Sequence, residues 1–296
     1  MSEALAPPWP VWADGRLHPA GTPVIEAEDQ GFLLGLAVFD TVLLEYRTVF
    51  FLEEHVGRLR RGAAELGLPW PPPWRPGDAL HELARALGES TAALRLTLSL
   101  GVPGKGTTMT VTPRPVVPPP AEGIRVFVSS RRKLGTEALE SVKSTNRMRN
   151  VLARAEAEAH GAWEALLANP EGDLSEGTVS NLFVVQGGAL RTPSAERGSL
   201  LGITREKILG SVEREPVRGT DGRALEVVVD RVDPEHVYAA DEVFLTNTTG
   251  RVIGVLEVGG LSRAVRGLPG PAGPVARELR ARMAALEEAY RVSRVL

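Results

Sequence analysis

The chain of 296 residues contains no cysteine. That excludes disulfides, a thiolate nucleophile and any cysteine-based metal site. Histidine is sparse: His18, His55, His81, His160 and His236 are scattered without metal-ligand spacing, so no metal is expected. No basic block is interleaved with aromatics, and the formal net charge is −3. Both features argue against nucleic acid as a partner. No apolar run approaches the roughly 20 residues a spanning helix needs, so no membrane partner is expected. The opening stretch, MSEALAPPWPVW, lacks the basic-then-apolar order of a signal peptide. No GxSxG elbow occurs, which removes the local case for a serine hydrolase. Gly101–Thr107, GVPGKGT, fails the GxxxxGK[ST] phosphate-loop pattern, because Ser99 holds the first glycine position and Gly106 follows the lysine. What these absences leave is a cytoplasmic enzyme or binding protein.

Proline, by contrast, is concentrated. Pro113–Glu122, PRPVVPPPAE, is too proline-dense for a sheet or helix interior and reads as a stiff extended linker. The division expected from it is a smaller N-terminal domain over 1–115, a linker over 116–121 and a larger C-terminal domain over 122–296. Strands are expected at Val11–Asp14, Thr22–Ala27, Val38–Glu45, Val49–Leu52, Ala93–Leu100 and Thr107–Thr112. Helices are expected over Glu53–Leu66 and from a cap at Asp78 to about Leu87. Beyond the linker, strands at Ile124–Ser129, Glu164–Ala168, Asn181–Val185, Ala189–Thr192, Leu225–Asp230, Glu242–Thr246 and Val252–Leu256 alternate irregularly with helices. Those helices follow Lys143, span Arg205–Ser211 and run from Val275 to about Tyr290. Without regular βαβ alternation the expected class is α+β.

Ser141–Asn150, SVKSTNRMRN, carries the first candidate for chemistry. Lys143 stands just before a segment in which Met148, Val151, Leu152, Ala155 and Ala159 recur at helical spacing. Ser144 and Thr145 are expected to cap that helix. A lysine at a helix mouth, backed by an apolar face, is partly desolvated. Its amine then loses proton affinity and suits Schiff-base chemistry. The bland reading is a solvated surface lysine, the usual state of the residue.

Several ordered blocks, spread from Val11 to Leu256, together resemble the fold type IV pyridoxal-phosphate enzymes. That family holds branched-chain and D-amino-acid aminotransferases, (R)-selective amine transaminases and aminodeoxychorismate lyase. Asp29-Gln30-Gly31-Phe32, Gly35 and Phe39-Asp40-Thr41 resemble its "D-R-G-F … G-D-G-V-F-E-T" run. His55-Val56-Gly57-Arg58-Leu59 resembles "H-x-x-R-L", which implies that Arg58 binds the cofactor phosphate. A planar guanidinium can do so bidentately. Lys143, in a "K-x-x-N-R" context, corresponds to the Schiff-base lysine. Glu176, ahead of Ser180-Asn181-Leu182-Phe183, corresponds to the glutamate that pairs with the pyridine nitrogen; standing alone it reads as a turn residue. Gly202-Ile203-Thr204-Arg205 resembles "G-I-T-R" at a helix start, which implies phosphate contacts from Ile203 and Thr204. Thr248, in Thr246-Asn247-Thr248-Thr249, is a further phosphate candidate, and Arg147 a further cofactor contact.

The resemblance implies a two-domain protein with pyridoxal 5'-phosphate at the domain interface, and a homodimer. Its partners would be a small amino donor and a keto-acid acceptor. Asp40, Lys105, Thr249 and Arg251 are the candidate substrate contacts. Asp40 departs from the glutamate of many aminotransferases and from the threonine of the lyase, and Leu36-Ala37 replace the usual "D-G". The activity implied first is aminotransfer. Aminodeoxychorismate lyase, eliminating pyruvate with the same lysine, is the alternative. A non-catalytic protein that binds the cofactor is the third reading, and the joint presence of Arg58, Lys143, Glu176 and Thr204 argues against it.

Overall fold

A computed structural model describes residues 9–70, 75–134, 140 and 142–293. The chain divides into two units: Met1–Val117 with Val142–Asn146 and Glu288–Leu296, and Pro118–Ser141 with Arg147–Glu287. The main division therefore falls inside the proline-rich stretch. The contiguous domains expected from that linker need two corrections, because Val142–Asn146 and the C-terminal residues from Glu288 belong with the first unit.

The first unit is built on a six-stranded sheet. Its elements in chain order are β1 (Val11–Ala13), β2 (Arg16–His18), α1 (Gln30–Leu34), β3 (Ala37–Glu45), β4 (Thr48–Val49), α2 (Leu52–Glu65), α3 (Pro76–Leu87), β5 (Ala92–Ser99) and β6 (Thr108–Pro115). The spatial order is β2-β1-β6-β5-β3-β4. Alternation decides the faces of β3: Val38, Val42 and Leu44 point into a core shared with Leu59 of α2, Leu80 and Leu83 of α3, and Leu94, Leu96 and Leu98 of β5. Thr22–Ala27 forms no strand, and Asp78 lies in the first turn of α3 rather than at its cap, which is Arg75. Asp29 instead caps the short helix α1, accepting from the Gly31 and Phe32 N–H groups.

Two prolines stand in a strand where none was expected. Pro113 and Pro115 extend β6, opposite Leu94 and Ala92 of β5. The other side of β6 is paired with β1 only at Thr110 and Val111. Beyond that point it is an edge, where a missing N–H costs no ladder bond.

The second unit holds a nine-stranded mixed sheet. Its elements are β7 (Ile124–Arg132), α4 (Met148–Ala159), β8 (Glu164–Ala168), β9 (Leu174–Gly177), β10 (Asn181–Gln186), β11 (Ala189–Pro193), α5 (Ile203–Arg214), β12 (Glu226–Asp230), α6 (Pro234–Tyr238), β13 (Glu242–Asn247), β14 (Arg251–Gly259), β15 (Val265–Arg266) and α7 (Pro274–Val292), whose last residues lie in the first unit. Both faces of the sheet are covered. Leu182, Val184, Val243 and Leu245 enter one core, and Phe183, Val185 and Phe244 enter another with Ile208 and Val212 of α5. The class is α+β with two sheets.

The helix after Lys143 is turned opposite to expectation. Met148 and Val151 are 72% and 61% exposed, while Ala153 and Ala157 are buried against Phe127, Ala165 and Leu167. Alanines let the helix approach the strands closely, so the small residues, not the large ones, form the inner face. Ser144 and Thr145 do not cap it either. Its N-cap is Arg147, without a side-chain bond.

Candidate active site

In the first unit, Lys143 lies on a segment laid against the start of β3. Its carbonyl accepts the Phe39 N–H at 2.9 Å, the Thr145 N–H donates to Ala37 at 3.0 Å, and Ser144 bridges to Val38. Asn146 Nδ2 donates to the Gly35 carbonyl at 3.3 Å. Gly35 has φ +72°, and a Cβ there would sit 2.2 Å from Asn146 Oδ1. Glycine is therefore required at this approach. The Lys143 amine stands 4.9 Å from the centre of the Phe39 ring, and the Arg95 guanidinium lies 3.7 Å from the same centre.

Asp40 is one residue further along β3, so it faces the other way, into the helix-covered side. It is fully buried. Oδ2 accepts from Arg58 Nε at 2.8 Å, and Oδ1 accepts from Arg58 Nη2 at 2.7 Å and from the Thr41 N–H at 2.7 Å. His55 Nδ1 lies 2.8 Å from the same Oδ1. Burial alone would raise the proton affinity of this carboxyl. The Arg58 charge and then His55 outweigh it and hold the group well below the usual carboxylate range. Asp40 is therefore placed to hold Arg58 and His55, not to touch substrate as expected. Lys105 pairs with Glu26 in an exposed turn.

In the second unit, Glu176 lies on β9, a strand rather than the turn expected of it, and is 8% exposed. Its Oε2 accepts the Leu200 N–H at 2.8 Å, and its Oε1 accepts from Lys133 Nζ at 2.7 Å. Asn181 ties this carboxylate to the other expected contacts. It pairs across strands with both Glu176 and Thr246, and its Nδ2 donates to the Leu200 carbonyl at 2.7 Å. Its Oδ1 would lie 1.9 Å from a Cβ on Gly202. Gly202 is the N-cap of α5 and supplies no capping side chain. The first ladder bond runs from the Glu206 N–H to the Gly202 carbonyl at 2.9 Å. The N–H groups of Ile203 and Thr204 thus precede the ladder, at the positive end of the helix dipole. Arg205 anchors that end, donating through Nη2 to the Pro193 carbonyl at 3.0 Å.

Thr248 and Thr249 occupy the turn from β13 to β14. The Gly250 N–H donates to Asn247 Oδ1 at 2.6 Å and closes it. Arg251, at φ +58°, donates from Nε to Glu287 at 2.6 Å. Arg147 donates to the Thr178 carbonyl, and burial lowers its proton affinity against the pull of Glu176, Glu164 and Glu140. Glu164, a buried carboxylate, holds the same loop through the Thr178 hydroxyl at 2.5 Å. Among the described residues, no group of three His, Asp or Glu side chains could hold a metal, and no helix is long and apolar enough to cross a membrane.

The model of the amino-transferase class IV family matches residues 37–258. The chain belongs to the class IV aminotransferases. It is 29% identical to a D-alanine aminotransferase of Bacillus licheniformis over 271 residues, 87% of this chain and 91% of the relative. It is 26% identical to an aminodeoxychorismate lyase of Bacillus subtilis, over 82% of this chain and 84% of the relative. A solved branched-chain aminotransferase from the thermophilic archaeon Thermoproteus uzoniensis, with norvaline, superposes with a TM-score of 0.79. Its identity is 27%, with 96% of this chain and 93% of that chain covered.

Class IV aminotransferases are enzymes that use pyridoxal phosphate, in the fold type IV architecture. A branched-chain member of the same architecture, 26% identical with a TM-score of 0.82, is solved with pyridoxamine 5'-phosphate. The second unit suits such a group. It offers a buried carboxylate for a basic ring nitrogen and an uncapped helix start for a phosphate. It also offers the Thr246 hydroxyl, buried without a hydrogen-bond partner among the described residues. The sequence alone assigns no site role to Lys133, Asn181 or Glu164. Lys133 ends a run of three cations, Arg131-Arg132-Lys133, which reads as solvated surface.

Proposed function

We propose that this class IV aminotransferase moves an amino group from an amino acid or amine donor to a 2-keto acid, with Lys143 as its acid–base group. The observation that carries this reading is the ordered, buried carboxylate of Glu176, linked through Asn181 to an uncapped helix start and a threonine-rich turn. A protein that merely bound an anion would need the last two features and not the first.

When bound, pyridoxal phosphate supplies an aldehyde that joins to amines and a protonated ring that draws electrons from the donor's α-carbon. Lys143 would hold it through Nζ and then carry a proton from the donor's α-carbon. Glu176 would accept a hydrogen bond from the ring nitrogen. The Ile203 and Thr204 N–H groups, with Thr248 and Arg58, would take the phosphate, where N–H groups and cations meet an anion best. Asp40 orients Arg58 for that contact, and Arg147 would add positive charge close to the ring.

The test is a spectral titration of the cofactor-loaded protein with single D- or L-amino donors and no keto acid. Loss of the yellow band to a pyridoxamine-like band is the expected result, and the effective donor names the substrate class. A yellow band that no donor shifts would favour the lyase reading, which the "K-x-x-N-R" stretch and the Thr246-Asn247 pair support.

The active form is proposed to be a cytoplasmic homodimer. Met148, Val151 and Leu152 lie on one face of α4 and are exposed. A contiguous exposed apolar stripe is the kind of surface that a protein contact covers. The double variant M148E/V151E is expected to convert a dimer to a monomer in light scattering coupled to gel filtration. A monomeric parent would refute the assignment.

A further inference from the structure

Lys133 is a buried cation outside the expected set. It is 4% exposed, and its ammonium donates to Glu176 Oε1 at 2.7 Å and to the Gly198 carbonyl. A third partner, Glu140 Oε2, lies 3.4 Å away. Glu140 is itself held by the Leu134 N–H at 2.9 Å and by Arg149. A long, flexible side chain is ordered and desolvated here, at a cost only good partners offset. Two of the three donor hydrogens of the ammonium are taken by hydrogen bonds, and the Glu140 carboxylate adds an ion pair. The other charges bearing on Glu176 are Arg147 and Arg205.

We propose that Lys133 is a positioning residue of the cofactor site, acting through Glu176. It fixes Oε1 while the Leu200 N–H fixes Oε2, and its charge weakens the hold of that carboxylate on a protonated ring nitrogen. The inference rests on the proposed contact between Glu176 and the ring. Its physical basis is the charge balance. A carboxylate shared between two cationic donors gives each less than it would give one alone, and the ammonium also repels a cationic ring directly. Both effects have the same sign. Lys133 disfavours protonation of the ring nitrogen, so it tempers the electron demand that Glu176 creates. Carboxylate oxygens each accept more than one hydrogen bond, so Lys133 and the ring need not exclude one another.

The experiment is ¹⁵N NMR of cofactor labelled at the ring nitrogen, bound to the parent, to K133M and to K133R, followed as a function of pH. The ring nitrogen of K133M is expected to hold its proton to a pH about one unit or more above that of the parent. K133R keeps the charge and is expected to titrate close to the parent. K133M/E140Q also removes one of the two carboxylates that Lys133 faces, and serves if K133M does not fold. Its expected displacement has the same direction. Coincident titration of the parent and the charge-deleted variant, with cofactor bound to both, overturns the role of Lys133 and leaves the reading of Glu176 intact. A ring nitrogen whose signal is the same in the parent and in E176Q overturns the Glu176 contact and this inference with it.

Discussion

Lys143→Ala is expected to lower turnover by at least about 10⁴-fold while leaving the fold in place. The loss combines the missing covalent anchor with the missing proton carrier, groups whose removal costs on that order. The fold should survive because main-chain bonds and the Asn146 side chain hold the segment. The Lys143 carbonyl, the Thr145 N–H and the Ser144 bridge all contact β3 through main-chain atoms. The side chain is half-buried and its amine lies beside the Phe39 ring. The thermal midpoint should therefore move by no more than about 2 °C. Single-turnover kinetics with the donor found by titration, beside a melting curve, checks both parts. Residual turnover near the parental rate would mean that another group carries the proton.

Asp40→Ala is expected to cost about 3–5 kcal/mol of stability, because it leaves the mostly covered Arg58 without this counter-charge and buried His55 without its hydrogen-bond partner. Urea unfolding should show a lower midpoint with an unchanged slope. The same pair predicts a pH dependence whose sign follows from the depressed carboxyl. The folded protein binds the Asp40 proton more weakly than the unfolded chain. This contribution is therefore complete above the ordinary aspartate value of about 3.9. It falls away as the pH drops toward the folded value, since the unfolded chain then takes up the proton first. In Asp40→Ala that component of acid destabilisation should vanish. An unchanged acid profile would show that the pair contributes no linkage.

Much of the fold was legible because its signals are local. β8 lies at the expected Glu164–Ala168, and β3, β5, α2 and α7 fall within two residues of expectation at either end. Each has a clear period or a glycine or turn boundary. β9 was missed because Leu174-Ser175-Glu176-Gly177 is short and composed of turn-forming residues; it is a strand only through pairing with β8 and β10. The prolines of β6 misled for a related reason. Proline opposes a strand by its missing donor, and only the sheet order shows that the donor was not needed. The inner face of α4 was read from large apolar residues, whereas the strands beneath it admit only alanine.

By itself, the sequence determined the family blocks and most of the element types, because these depend on residue identity and short spacing. It also determined that Asp40 departs from the family pattern. Only the tertiary structure decided what that departure does: β3 turns Asp40 into the buried side, where α2 brings His55 and Arg58 to it. It likewise decided the partner of Glu176. Lys133 and Glu176 are 43 positions apart in the chain. In sequence, a lysine closing a basic run carries no sign of burial. Charge and burial are properties of surroundings, and surroundings exist only once distant strands have paired.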